Sequence, residues 1–169
     1  TKYLAGHNDV LAGVVVTDSA DLYEKLFYNL NTTGAVLSPF DSYQLIRGLK
    51  TLSLRMERST ANAQEIVAFL EQSPAVKEVL YTGRGGMISF KVADEKRIPH
   101  ILNTLKVFSF AESLGGVESL ITYPTTQTHA DIPAEVRHSY GLTDDLLRLS
   151  IGIEDARDLI EDLRQALEG

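Results

Sequence analysis

Three features of the sequence predict an α/β chain. A β-branched run, Val10 to Thr17, feeds directly into a capped helical stripe. After Pro74 the pattern breaks into short alternating segments separated by turns, and the chain closes on a helix whose apolar residues recur at helical spacing. The first part reads as α/β and the second as α+β. At 169 residues the chain has the size of one compact domain, or of two small ones sharing an interface. Its 44% apolar and 23% charged composition sets disordered and fibrous classes aside.

Taken in order, Val10–Thr17 reads as a buried strand bounded by glycines and Asp18. Asp18 and Ser19 are placed to cap a helix carrying Leu22, Leu26 and Leu30 on one stripe, which Thr32-Thr33-Gly34 ends. Ser38-Pro39 supplies a cap followed by proline at the first helical position. The pattern that follows runs through Leu45, Ile46, Leu49 and Leu52 to Ile66, Val67, Phe69 and Leu70, so one long helix bridging two packing units is expected. Val76–Tyr81 and Met87–Val92 read as strands around the turn Gly83-Arg84-Gly85-Gly86. Ile98, Ile101, Leu102 and Leu105 mark a helix. Phe108–Phe110, Glu118–Thr122 and Leu147–Ile151 are further strands, and Asp155 opens a helix with Ala156, Leu159, Ile160, Leu163 and Leu167 facing inward.

Composition narrows the chemistry. With no cysteine, the chain offers no disulfide, thiol nucleophile or zinc–thiolate site. A formal charge of -7, concentrated between Asp144 and Glu168, repels phosphate backbones and anionic lipid, so neither nucleic acid nor a membrane is an expected partner. Small metabolites fit better. His7, His100, His129 and His138 lack metal-ligand spacing, no Gly-x-Ser-x-Gly elbow occurs, and the Gly83–Gly86 turn precedes a strand where a phosphate loop would precede a helix. The start at Thr1-Lys2-Tyr3, with apolar residues following at once, reads as a chain entered partway through a folded unit.

Three places carry possible chemistry. In Leu147-Arg148-Leu149-Ser150-Ile151, alternation sends Arg148 and Ser150 to the face opposite the leucines. An arginine there needs an anion, either a carboxylate of the chain in a structural ion pair or the carboxylate of a ligand held bidentately. Glu112-Ser113-Leu114-Gly115-Gly116 joins two strands, and its paired glycines allow either an ordinary turn or a close approach of backbone to ligand. Lys2 is either a surface residue at a strand end or an amine nucleophile for a carbonyl cofactor.

Together these residues resemble one family. Thr1-Lys2-Tyr3-Leu4-Ala5-Gly6-His7-Asn8-Asp9, followed by Gly13, is similar to the cofactor-lysine motif of the cystathionine γ-synthase/β-lyase family of pyridoxal-phosphate enzymes. Gly48-Leu49-Lys50-Thr51-Leu52, Glu112 through Leu120, Thr128-His129 and Arg148 through Asp155 follow in the family's order, so the likeness runs from Thr1 to Leu167.

The resemblance implies a fold-type-I pyridoxal-phosphate transferase. Residues 1–55 would be the end of the large cofactor domain, including the start of a long connecting helix, and residues 56–169 the small α+β domain. It implies pyridoxal 5'-phosphate as cofactor, with Lys2 as the Schiff-base and proton-shuttling lysine and Thr1 as a hydroxyl on the cofactor phosphate. Arg148 would clamp the substrate α-carboxylate beside Ser113 and the Leu114 backbone, with Thr128 in the same pocket. Glu112 would help set reaction type. The stretches from Gly34, Tyr81 and Tyr123 look most like a bacterial cystathionine γ-synthase acting on an O-acylhomoserine and cysteine to give cystathionine. A β-lyase or γ-lyase is the enzymatic alternative, and an inactive isolated C-terminal piece the non-enzymatic one. The family's pyridine-binding aspartate, stacking aromatic and phosphate loop would lie upstream of Lys2. A cytoplasmic homotetramer is the expected full-length form.

Overall fold

A computed structural model describes residues 1–169. The first helix, α1 (Ala20–Thr33), starts where the sequence places a cap: Ser19 Oγ accepts the Leu22 N–H at 3.3 Å. Gly34, left-handed at φ 68°, closes it by donating to the Leu30 carbonyl at 3.0 Å. Helix α2 (Pro39–Leu49) begins with Ser38 accepting the Asp41 N–H at 3.1 Å and Pro39 at its first position.

The long helix expected from Ser38 is instead two. Helix α3 (Leu52–Leu70) starts after a break at Lys50–Thr51, where Thr51 sits at φ −111°, ψ 7°. The Gly48 carbonyl, which a continuous helix would offer to Leu52, accepts the Thr51 N–H at 3.2 Å and Nη2 of Arg55 at 2.7 Å. Gly48 also lies against Ala5, where any Cβ would overlap the Ala5 carbonyl oxygen.

The strand expected at Val10–Thr17 does not form. Val10 is buried, but Leu11 and Val14 to Val16 stand in solvent, Val16 at 87% exposure. A strand needs a neighbour to take its backbone hydrogen bonds; Thr1 takes those of Ala12 through its hydroxyl, and no strand of this chain pairs with the run.

Strands β1 (Val76–Tyr81) and β2 (Met87–Val92) form the expected antiparallel hairpin. Gly83 and Gly85 occupy positive φ in its turn, and the Gly85 N–H is tied to Thr60 Oγ1 of α3 at 3.0 Å. A short 3₁₀ turn, Glu95–Arg97, leads into α4 (Ile98–Thr104). Strands β3 (Ser109–Phe110), β4 (Leu120–Thr122) and β5 (Leu146–Ser150) lie within the predicted segments, or one residue to the side. A six-residue helix, α5 (Ala134–Ser139), was not predicted; it opens at Pro133 with no side-chain cap, so it leaves no N-terminal mark in the sequence. Asp155 caps α6 (Ala156–Glu168) as expected.

The strands form one sheet in the order β1-β2-β5-β4-β3, antiparallel except for β3 beside β4. Register sorts its two faces. Across the sheet, Tyr81, Ile88, Leu149 and Ile121 stand in one row and Val79, Phe90 and Leu147 in another. This face packs on Ala63, Ile66 and Leu70 of α3, Ile98 and Ile101 of α4, and Leu159, Leu163 and Leu167 of α6, making the core. The opposite face carries the row Leu80, Ser89, Arg148 and Thr122, with no helix laid over it.

Candidate active site

The helix-free face of β5 holds Arg148, as alternation predicts. Its guanidinium makes no ion pair with any carboxylate of the chain. Nη2 donates instead to two neutral acceptors, Thr122 Oγ1 at 3.1 Å and the Ser113 carbonyl at 3.3 Å. Nε is buried without a partner, and Nη1 makes no hydrogen bond. Burial lowers the pKa of Arg148, the exposed charge of Glu112 partly opposing the shift, yet arginine remains a cation at neutral pH. Of the two anions that the sequence leaves open, the structural one is absent.

The loop Ala111–Gly116 borders this cation. Ser113 holds a positive φ of 89°, unusual for a residue with a side chain, and its hydroxyl reaches Asn8 Oδ1 at 3.4 Å. The Leu114 N–H has no acceptor within the chain and is free to bind a ligand oxygen. Gly115 donates to Ser150 Oγ at 2.8 Å and sits against Tyr3, where a Cβ would come within 3.0 Å of the ring. Tyr3 therefore lies on the loop, and its hydroxyl accepts the Gly86 N–H at 3.2 Å. Burial raises the pKa of that phenol. The N-terminal turn is fixed again by Gly6, whose carbonyl accepts the Val117 N–H at 3.0 Å.

Lys2 thus stands next to a residue packed on the Arg148 loop. Its side chain is exposed, with no hydrogen bond or ion pair holding the amine. An unpaired amine on a firmly anchored turn suits condensation with an aldehyde cofactor. Thr1 fits a phosphate less well. Its hydroxyl donates to the Ala12 carbonyl and accepts the Ala12 N–H, both at 2.9 Å, which uses its only proton.

Glu112 is exposed and acts on Arg148 through space. Thr128 is not brought to the arginine by any hydrogen bond; it is exposed and pairs with His129 Nδ1 at 2.8 Å. The threonine on Arg148 is Thr122, one of three residues that sequence reasoning missed. Its strand was legible, but the register that sets it beside Arg148 joins positions 26 apart. The second is Asn8, whose amide donates to Glu118 at 3.0 Å. The third is Arg55, 7% exposed, which donates to the carbonyls of Tyr3 at 2.8 Å, Leu4 at 3.4 Å and Gly48 at 2.7 Å. A lone arginine in a helical stripe gives no sign of such distant acceptors.

Residues 1–168 match the model of the Cys/Met metabolism PLP-dependent enzyme family. The chain is 58% identical over 167 residues to the cystathionine gamma-synthase/O-acetylhomoserine (thiol)-lyase of Bacillus subtilis (strain 168), covering 99% of this chain and 45% of that protein. It is 51% identical over 184 residues to the cystathionine gamma-lyase of the same strain, covering 99% and 48%. Among solved structures, the cystathionine gamma synthase of Xanthomonas oryzae pv. oryzae in complex with cystathionine superposes with a TM-score of 0.93 at 41% identity, over 99% of this chain and 48% of that one. The chain therefore spans about half the length of these relatives. It belongs to the Cys/Met metabolism PLP-dependent enzyme family.

Proposed function

We propose that this chain is the lysine- and arginine-bearing half of a cystathionine γ-synthase, which replaces the acyl group of an O-acylhomoserine by cysteine to give cystathionine. One observation carries the reading of the site: Arg148 is a half-buried cation, next to free N–H donors, with no carboxylate of the chain to neutralise it. A half-buried guanidinium with an unused Nη1 suits an amino-acid carboxylate, and the Leu114 N–H offers a further donor to it.

Lys2 would hold pyridoxal phosphate and, once substrate occupies the cofactor, move protons at Cα and Cβ. When bound, the cofactor supplies the electron sink that makes the Cα proton removable. Arg148 and Leu114 fix the carboxylate, which selects the bond at Cα that is presented to Lys2. Thr1 would need to release Ala12 before donating to the phosphate. Glu112, beside the carboxylate, would influence which leaving group is accepted.

The exposed apolar residues of the first fifty, among them Val14 to Val16, Phe27, Phe40 and Ile46, support a second part of this reading. Residues 1–55 would complete a larger cofactor domain supplied by the length that the relatives add, and residues 56–169 would be the small domain. The full-length protein would act in the cytoplasm as a homotetramer. No helix is long and apolar enough to cross a membrane.

The γ-synthase reading, as against a lyase, follows the name of the Bacillus subtilis relative at 58% identity. Product analysis of the full-length holoenzyme tests it. Cystathionine formed from O-acetylhomoserine and cysteine is expected. Homocysteine, pyruvate and ammonia from cystathionine alone, without synthesis, would make the protein a β-lyase; cysteine with 2-oxobutanoate and ammonia would make it a γ-lyase.

A further inference from the structure

We propose that Thr122 is a positioning residue that aims Arg148 at the substrate carboxylate. The inference rests on the reading of Arg148 given above. Thr122 is 1% exposed in β4, directly across from Arg148 in the β4–β5 pairing. A threonine hydroxyl has one proton, and this one goes to the Ala111 carbonyl at 3.0 Å. Its lone pairs are therefore left for Arg148, which can only donate, and Nη2 takes one at 3.1 Å.

The consequence is a small closed frame. Ala111 is held to β4 twice, by the Thr122 hydroxyl on its carbonyl and by its own N–H donating to Ile121 at 3.1 Å. Two residues further on, the Ser113 carbonyl accepts the same Nη2 that Thr122 accepts. Strand β4, the loop Ala111–Ser113 and Arg148 thus share one hydroxyl, and Nη2 is fully used inside the frame. Nη1 is left for a ligand, pointed by a planar group that cannot turn without breaking both Nη2 bonds. Removing the hydroxyl would leave Nη2 with the longer 3.3 Å bond alone and Ala111 with an unpaired carbonyl lone pair. Nothing else in the chain bonds to the guanidinium.

The test uses full-length holoenzyme with Thr122→Val, Thr122→Ser and Arg148→Ala, and two readouts. The first is the Ki of glycine, an amino acid with no leaving group, whose binding does not depend on which bond the enzyme breaks. The second is kcat against KM for the substrate that the enzyme turns over. Thr122→Val is expected to raise the glycine Ki and the KM about tenfold, with kcat changed less than about threefold, because the bond is made to substrate and transition state alike. Thr122→Ser, which keeps the hydroxyl, is expected to stay within about threefold of wild type. Thr122→Ala gives the same comparison if the valine variant does not fold. A normal Ki in Thr122→Val or Thr122→Ala while Arg148→Ala raises it would overturn the role of Thr122 and leave that of Arg148 standing. A normal Ki in Arg148→Ala would overturn both. A serine variant as impaired as the valine one would show that the methyl and its packing matter and the hydroxyl does not, which also overturns the proposal.

Discussion

Nη1 of Arg55 donates to the carbonyl oxygen of Tyr3 at 2.8 Å, across 52 residues of sequence. The bond couples α3 to the turn that carries Lys2, and the same guanidinium closes the helix break at Gly48 and meets Thr51 Oγ1 through Nε at 3.1 Å. Burial lowers the pKa of Arg55, with no carboxylate in contact to offset it. Its charge is held by neutral dipoles, three carbonyls and the Thr51 hydroxyl.

Replacing Arg55 by Met therefore orphans the Tyr3 and Leu4 carbonyls and leaves that of Gly48 to Thr51 alone. Unfolding stability of the full-length protein should fall by about 2–4 kcal/mol, measured by denaturant titration. Arg55→Lys should recover only part of this, since an ammonium cannot reach three carbonyls from a planar fork. Full stability in the methionine variant would mean that the turn is held without it.

Gly152 follows β5 and donates to Ser119 Oγ at 2.9 Å, and that hydroxyl donates in turn to Glu154 at 2.8 Å. A Cβ on Gly152 would overlap the Val117 carbonyl, a backbone atom that cannot swing away. Gly152→Ala should cost about 1–3 kcal/mol through overpacking, read as a lowered melting temperature. Gly83→Ala offers a comparison of a different kind: nothing lies within 4 Å of its missing Cβ, so its cost comes only from the positive φ of 87°.

Asp155 caps α6 by accepting the Arg157 N–H at 2.9 Å and its guanidinium at 3.1 and 3.0 Å. These bonds, the side-chain ones foremost, hold its carboxyl at about 2 instead of the ordinary 3.8. Because the folded value is the lower one, the stabilisation is present above 3.8 and is lost as pH falls toward 2. Between about pH 4 and about pH 2 the wild-type melting temperature should fall more steeply than that of Asp155→Asn, which has no charge to lose there. Parallel curves would contradict this.

What the sequence reveals here depends on whether a pattern is satisfied inside the chain. The hairpin Val76–Val92 and the helix after Asp155 are legible because their apolar residues meet each other across one core. Val14 to Val16 carry an equally strong β-branched signal, but such composition reports that a segment is to be buried and says nothing of its partner. Arg148 stands out as a charge at an alternating position of a largely apolar strand. Thr122 and Arg55 do not, since their roles come from register and from carbonyls far away in sequence.

The most direct measurement concerns Lys2. Full-length protein loaded with pyridoxal phosphate is reduced with borohydride, digested and mapped by mass spectrometry. The pyridoxyl group is predicted on the peptide containing Lys2 and is absent in Lys2→Ala. Label on another lysine, or equal labelling in the Lys2→Ala variant, would contradict the assignment of this site.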